Sequence, residues 1–81
     1  MNLKFSVHFQ ARMLERSIST EHLKLAIRTP DKRITTFEGR IKVVKKLNGK
    51  IIEVIYSLER LRKKEEYLII TAYYLEQAKN I

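Results

Sequence analysis

His8, Arg12 and Arg16 stand at four-residue intervals within the stretch Ser6 to Ser19, Ser-Val-His-Phe-Gln-Ala-Arg-Met-Leu-Glu-Arg-Ser-Ile-Ser. A helix through this stretch would carry a proton-transfer group and two anion binders on one rigid face. At roughly 100° per residue the three lie at about 0°, 40° and 80°, while Phe9, Met13, Leu14, Val7 and Ala11 fill the arc from about 100° to 300°. A histidine can take or give a proton near neutral pH, and arginine matches phosphate oxygens. Glu15, near 340°, lies beside Arg12, so the same ladder also reads as an ordinary salt-bridged, solvated face, and Gln10 interrupts the apolar arc. Spacing alone leaves both readings open.

The rest of the chain bears on that choice through charge. Its 81 residues carry a net charge of +8 and a pI near 10.0. Between Arg28 and Lys50, eight bases face only Asp31 and Glu38, a local excess of +6. Such a concentrated basic segment suits a phosphate backbone. An acidic protein partner or an anionic membrane are the other candidates, and no strongly amphipathic basic helix favours the membrane. With no cysteine, zinc ribbons, disulfides and thiol nucleophiles are excluded. Two histidines fourteen residues apart and a single aspartate also argue against a metal site, so no cofactor is expected. No apolar run approaches about 18 residues and the N-terminus lacks a signal-peptide core, which predicts a soluble, cytoplasmic protein. Abundant Ile, Lys and Glu lean toward a thermophilic source.

The elements that must position these groups follow from periodicity. Leu3 to Phe5 is a candidate short strand. Ser6 is a good N-cap for a helix over about residues 7 to 16, and Ser19 caps a second helix with Leu23, Ala26 and Ile27 on one apolar face. His22 reads as an exposed helix residue. Thr29-Pro30-Asp31 stops the second helix. A weak strand is expected over Ile34 to Glu38, then a stronger one over Arg40 to Leu47 after a break at Gly39. Asn48-Gly49 predicts a two-residue type I′ hairpin, which sets Leu47 opposite Lys50, Val44 opposite Glu53 and Ile41 opposite Tyr56.

That register sorts the side chains by face. Ile41, Val43, Lys45 and Leu47 with Ile52, Val54, Tyr56 and Leu58 make a core face; Arg40, Lys42, Val44 and Lys46 with Ile51, Glu53, Ile55 and Ser57 make a basic face with one carboxylate in its middle. Arg60 to Glu66 reads as a charged loop. In a last strand over Tyr67 to Leu75, Leu68, Ile70 and Ala72 suit the core, and Tyr67, Ile69, Thr71 and Tyr73 the other face. Residues 77–81 read as a tail. The expected fold is a single α+β domain over residues 1–81, with two N-terminal helices packed on one face of an antiparallel meander and the opposite face free.

Phe5-Ser6-x-His8-x-x-x-Arg12-x-x-x-Arg16-x-Ile18-Ser19, followed by Gly39-Arg40-x-Lys42-Val43-Val44, Glu53-Val54-x-Tyr56 and Tyr67-Leu68-Ile69-Ile70-Thr71-x-Tyr73, resembles a family of small prokaryotic domains with a Ser-x-His-Ala-x-x-Arg…Arg-Gly-Ile-Ser signature. That family looks related to the RelE-like and BrnT-like toxins of toxin-antitoxin pairs. Phe9 stands where the family usually has alanine, and Ser17 where it usually has glycine. The resemblance implies a RelE-like fold and metal-independent RNA cleavage, in which a ribose 2′-hydroxyl attacks the adjacent phosphate and basic side chains stabilise the phosphorane.

The catalytic candidates on this view are His8, Arg16, Glu53 and Tyr73, with Arg12, Arg40, Lys42, Lys46 and Thr71 holding RNA. Glu53 is a candidate general base, against the plainer role of a cross-strand ion pair. Tyr73 and Thr71 either contact phosphate and stack on a base or are simply good strand formers. The expected partners are RNA, including ribosome-bound message, and an acidic antitoxin. Because Val44, Ile51, Ile55 and Ile69 share the free face, a non-catalytic RNA-binding or protein-docking module is the alternative.

Overall fold

The computed structural model describes residues 1–36, 38–61 and 64–76. The chain runs β1 (Asn2–Phe5), α1 (Val7–Glu15), α2 (Thr20–Arg28), β2 (Lys32–Thr35), β3 (Arg40–Leu47), β4 (Lys50–Leu61) and β5 (Lys64–Glu76). The five strands form one sheet in the order β1-β5-β4-β3-β2.

This overturns the expected architecture of two leading helices on an antiparallel meander. A strand comes first, and it pairs parallel with the last strand, Leu3 opposite Tyr67 and Phe5 opposite Ile69, so the sheet is mixed. A four-residue run with two apolar side chains announces a strand but says nothing of its partner, which lies more than sixty residues away in the chain. Parallel pairing needs a long connection between the partners, and here nearly the whole domain supplies it.

Both helices begin where the hydroxyl caps predicted. Ser6 Oγ accepts the Phe9 N–H (3.1 Å) and Ser19 Oγ the His22 N–H (3.4 Å). Helix α1 ends in a Schellman arrangement: Ile18 N–H donates to Met13 O and Ser17 N–H to Leu14 O, with Ser17 at φ 50° in the place glycine usually takes. The turn swings Ile18 back into the core beside Phe9. The apolar arc of α1 is narrower than its helical pattern suggested, because Val7 and Leu14 are both 83% exposed and only Phe9 is fully buried. Helix α2 packs on β3 and β4, and α1 on β5.

The hairpin register is as the two-residue Asn48-Gly49 connection dictates, with Leu47 opposite Lys50, Val44 opposite Glu53 and Ile41 opposite Tyr56. Only Gly49 has a positive φ (85°), so the turn is not the expected type I′, which needs positive φ at both residues. Ile41, Val43, Ile52, Val54 and Tyr56 accordingly enter the core. On β5 the expected faces hold only in part. A bulge sets Ile55 opposite Thr71 but Tyr56 opposite Ile69, so one residue is left over and the alternation flips. Ile69 and Tyr67 therefore turn to the core with Ala72, while Thr71 and Tyr73 stay on the opposite face. The charged stretch after Leu58 is mostly strand rather than loop: Arg60 faces Glu65 across β4 and β5 and pairs with it at 3.3 Å. Strand β2 begins two residues earlier than expected, at Lys32.

His22 is half-buried rather than exposed. Its Nδ1 lies 2.7 Å from the Tyr74 hydroxyl, which also accepts the Ser19 N–H (3.1 Å), and Lys50 Nζ sits 4.0 Å from the centre of the Tyr74 ring. One phenol thus ties the start of α2 to β5. Tyr74→Phe should cost about 1–2 kcal/mol in urea unfolding, because it strips a partner from a backbone N–H and from the imidazole together. An unchanged midpoint would mean that water replaces the hydroxyl fully.

Candidate functional site

The sheet face away from the helices carries Lys32 and Ile34 from β2, Arg40, Lys42, Val44 and Lys46 from β3, Ile51, Glu53 and Ile55 from β4, and Thr71 and Tyr73 from β5. Among the described residues no helix covers it, and Ile34 and Leu75 are 40% and 43% exposed at its margins. Lys32 is absent from the sequence-based set because the strand was expected to start at Ile34. The signal that would have found it is Asp31, whose backbone N–H donates to Val44 O (2.9 Å) and whose carboxylate accepts the Lys46 N–H (2.6 Å), which together open the β2–β3 pairing.

A line of polar groups crosses this face. Lys42 Nζ lies 2.5 Å from Glu53 Oε1. Glu53 stands opposite Tyr73 in the register, Thr71 follows two residues along the same strand face, and Thr71 Oγ1 accepts from Arg16 at 3.5 Å. Arg16 also donates to Ala72 O at 2.9 Å. This reach is possible because β1 ends opposite Ile69, leaving the next part of β5 as a free edge that Ser6 and Arg16 occupy. Of the guanidinium's five N–H donors, those on Nη2 and Nε have no protein partner among the described residues.

Glu53 is the unusual member. It is the one buried charged residue among those described, at 5% exposure, although it lies on the uncovered face. Val44 and Tyr73 stand opposite it on the neighbouring strands, and Lys42 pairs with it. Its Oε1 is out of solvent without a directed hydrogen bond, so the contact with Lys42 is ionic, off the direction an N–H would need. Native structures leave few buried polar atoms in that condition, and Glu66 Oε2 is another among the described residues.

The other expected site residues are not brought into this line. Arg12 is taken by Glu15 at 3.2 Å, the salt-bridged helix face that the spacing had left open. His8 is exposed on α1 and makes no hydrogen bond among the described residues. Arg40 lies at the strand's start with Glu38 3.9 Å away, and Lys46 is exposed at its far end. The ladder of three is thus divided: Arg16 joins the sheet face through the β5 edge, and the first two rungs stay on the helix. Among the described residues no three His, Asp or Glu side chains come together as metal ligands, and no helix is long and apolar enough to cross a membrane.

No curated protein and no solved structure matches the chain. Residues 5–74, which include both helices and the polar groups from Lys42 to Arg16, match the family described as domain of unknown function DUF4258, and the chain belongs to that family.

Proposed function

We propose that the protein is a toxin-type domain that holds an RNA backbone on the uncovered sheet face and cleaves it by attack of the ribose 2′-hydroxyl. The observation that carries this reading is the Lys42–Glu53 pair opposite Tyr73: a buried carboxylate, short of hydrogen bonds, covered by an ammonium that a phosphate can draw away. With Lys42 on the phosphate, Glu53 is free to accept the 2′-hydroxyl proton as the O2′–P bond forms. The P–O5′ bond breaks, and the Tyr73 hydroxyl donates its proton to the departing oxygen. Lys42 and Arg16 stabilise the charge that grows on the phosphorane. The products are a 2′,3′-cyclic phosphate and a 5′-hydroxyl end. Arg40, Lys46 and Lys32 extend the grip along the backbone. The reading brings with it a cytoplasmic location and an acidic antitoxin.

Cleavage is expected to persist in EDTA, to leave the cyclic phosphate, and to vanish on a substrate with 2′-deoxy at the scissile position. Affinity for a generic RNA should fall about 10³-fold between 50 and 200 mM salt if some six phosphates are neutralised. Absence of cleavage on both naked and ribosome-bound RNA would remove the nuclease, and a flat salt response would remove RNA altogether. A second reading, docking of an acidic amphipathic protein segment, is favoured by Val44, Ile51 and Ile55, which lie among the bases on the same face.

A further inference from the structure

On the helix side of the sheet a separate cavity of about 270 Å³ opens between the end of α2 and the far ends of β4 and β5. Its walls are Ile27, Arg28, Pro30, Arg33, Tyr56 and Tyr67, with Leu58 beside them. At about 270 Å³ it lies just below the span of drug-sized ligand pockets, about 300 to 1,000 Å³.

Its chemistry is one-sided. Two arginines line it and no carboxylate does. Neither Arg28 nor Arg33 forms an ion pair among the described residues. The one acid nearby in the chain, Asp31, has turned its carboxylate to the Lys46 N–H, so it does not neutralise them. The C-terminal end of α2 opposes an anion through its carbonyls, but that end carries only about half a charge, and Thr29 caps it by donating its N–H and its hydroxyl to Leu25 O. Two full positive charges outweigh it.

The remaining walls suit an aromatic ring. Tyr67 lies edge-on to Tyr56, ring centres 5.6 Å apart, and Ile27, Pro30 and Leu58 complete an apolar surround. Tyr56 is 3% exposed. Burial pushes its hydroxyl above the ordinary tyrosine range, against the pull of the Arg33 charge and N–H, so it remains a proton donor at neutral pH.

We propose that this cavity binds a single nucleotide, its base against Tyr67 and Leu58 and its phosphate between Arg28, Arg33 and the Tyr56 hydroxyl. The nucleotide is either a free monophosphate or the phosphorylated end of an RNA strand, since both present the same group. The site is independent of the uncovered sheet face and stands or falls without it.

The test is calorimetric titration of the whole protein with adenosine 5′-monophosphate and uridine 3′-monophosphate, beside adenosine, uridine and inorganic phosphate. Saturable binding of a monophosphate, at least about tenfold tighter than its nucleoside or phosphate alone, is expected. Arg33→Ala should weaken it about tenfold or more, the usual loss for a charge-assisted hydrogen bond, and Tyr56→Phe about threefold or more. Arg33 is exposed and Tyr56→Phe removes only a hydroxyl, so both variants should keep the parent circular dichroism. The opposite-face variant Arg40→Glu with Lys46→Glu should bind the monophosphate as the parent does. Competition by an oligonucleotide with a terminal phosphate identifies the strand end as the ligand, and competition by the monophosphate alone identifies the free nucleotide. No saturable binding, equal binding by Arg33→Ala, or loss in the opposite-face variant would each overturn the proposal.

Discussion

Arg16→Ala is expected to lower turnover on RNA by about 10²-fold or more while weakening RNA affinity less than about tenfold. Removing one preorganised donor from a developing oxyanion costs about 10²–10³ in kcat, and a contact made to the ground state and transition state alike would change affinity instead. The arginine is preorganised because Ala72 O and Thr71 Oγ1 fix one of its nitrogens at the β5 edge, leaving the others to face a phosphate. Glu53→Gln should reduce the rate by a similar factor, since a general base is worth about 10²–10⁴-fold. Single-turnover rates and binding measured separately decide the matter. Equal losses in both would make Arg16 a backbone anchor only, and full activity in Glu53→Gln would remove the base from the mechanism. Arg16→Lys is the informative control: it keeps the charge but loses the Nη2 and Nε donors left over when Nη1 is held by Ala72 O and Thr71.

Lys42→Glu should destabilise the fold by about 2 kcal/mol or more, whereas Lys46→Glu should stay within about 0.5 kcal/mol of the parent. The two lysines are four residues apart on the same strand face and differ in what they meet. Lys42 is the sole ionic partner of Glu53 among the described residues, with side chains 38% and 7% exposed. Breaking a fully buried pair costs about 3–5 kcal/mol, and the partial exposure of Lys42 lowers that figure, while a second carboxylate in its place adds repulsion. For a domain of this size each 1 kcal/mol moves the melting temperature by about 4–8 °C, so a drop of about 10 °C is expected for Lys42→Glu alone. Lys42→Met with Glu53→Leu should recover much of it, because an apolar pair of similar volume leaves no buried charge. If Lys42→Glu melted with the parent, Glu53 would be reached by water and its shielded state, on which the cleavage chemistry rests, would be disproved.

Much of the fold was legible in local chemistry. Ser6 and Ser19 announced both helix starts because a hydroxyl before an apolar helical pattern satisfies N–H groups that nothing else reaches. Asn48-Gly49 determined the β3–β4 register, since a two-residue connection with Gly49 at positive φ sets how the strands fold back and strict alternation then assigns every side chain to a face. From that register the placing of Lys42 and Glu53 on one face followed without coordinates, whereas Tyr73 and Thr71 were brought beside them by the β4–β5 pairing. What escaped was non-local. The partner of β1 depends on a strand at the other end of the chain, and a run of four residues cannot specify it. The bulge opposite Ile55 and Tyr56 reverses the alternation of β5, and no residue in β5 signals it, because the extra residue is accommodated by twist between two strands. Amino-acid types and spacing determined that this chain carries a basic strand face with one carboxylate in it. Only tertiary packing decided that the carboxylate is buried, that Arg16 and not His8 reaches Thr71 and Ala72 at the β5 edge, and that Arg28, Arg33 and Tyr56 meet in a cavity, because burial, edges and cavities are properties of surfaces brought together from distant parts of the chain.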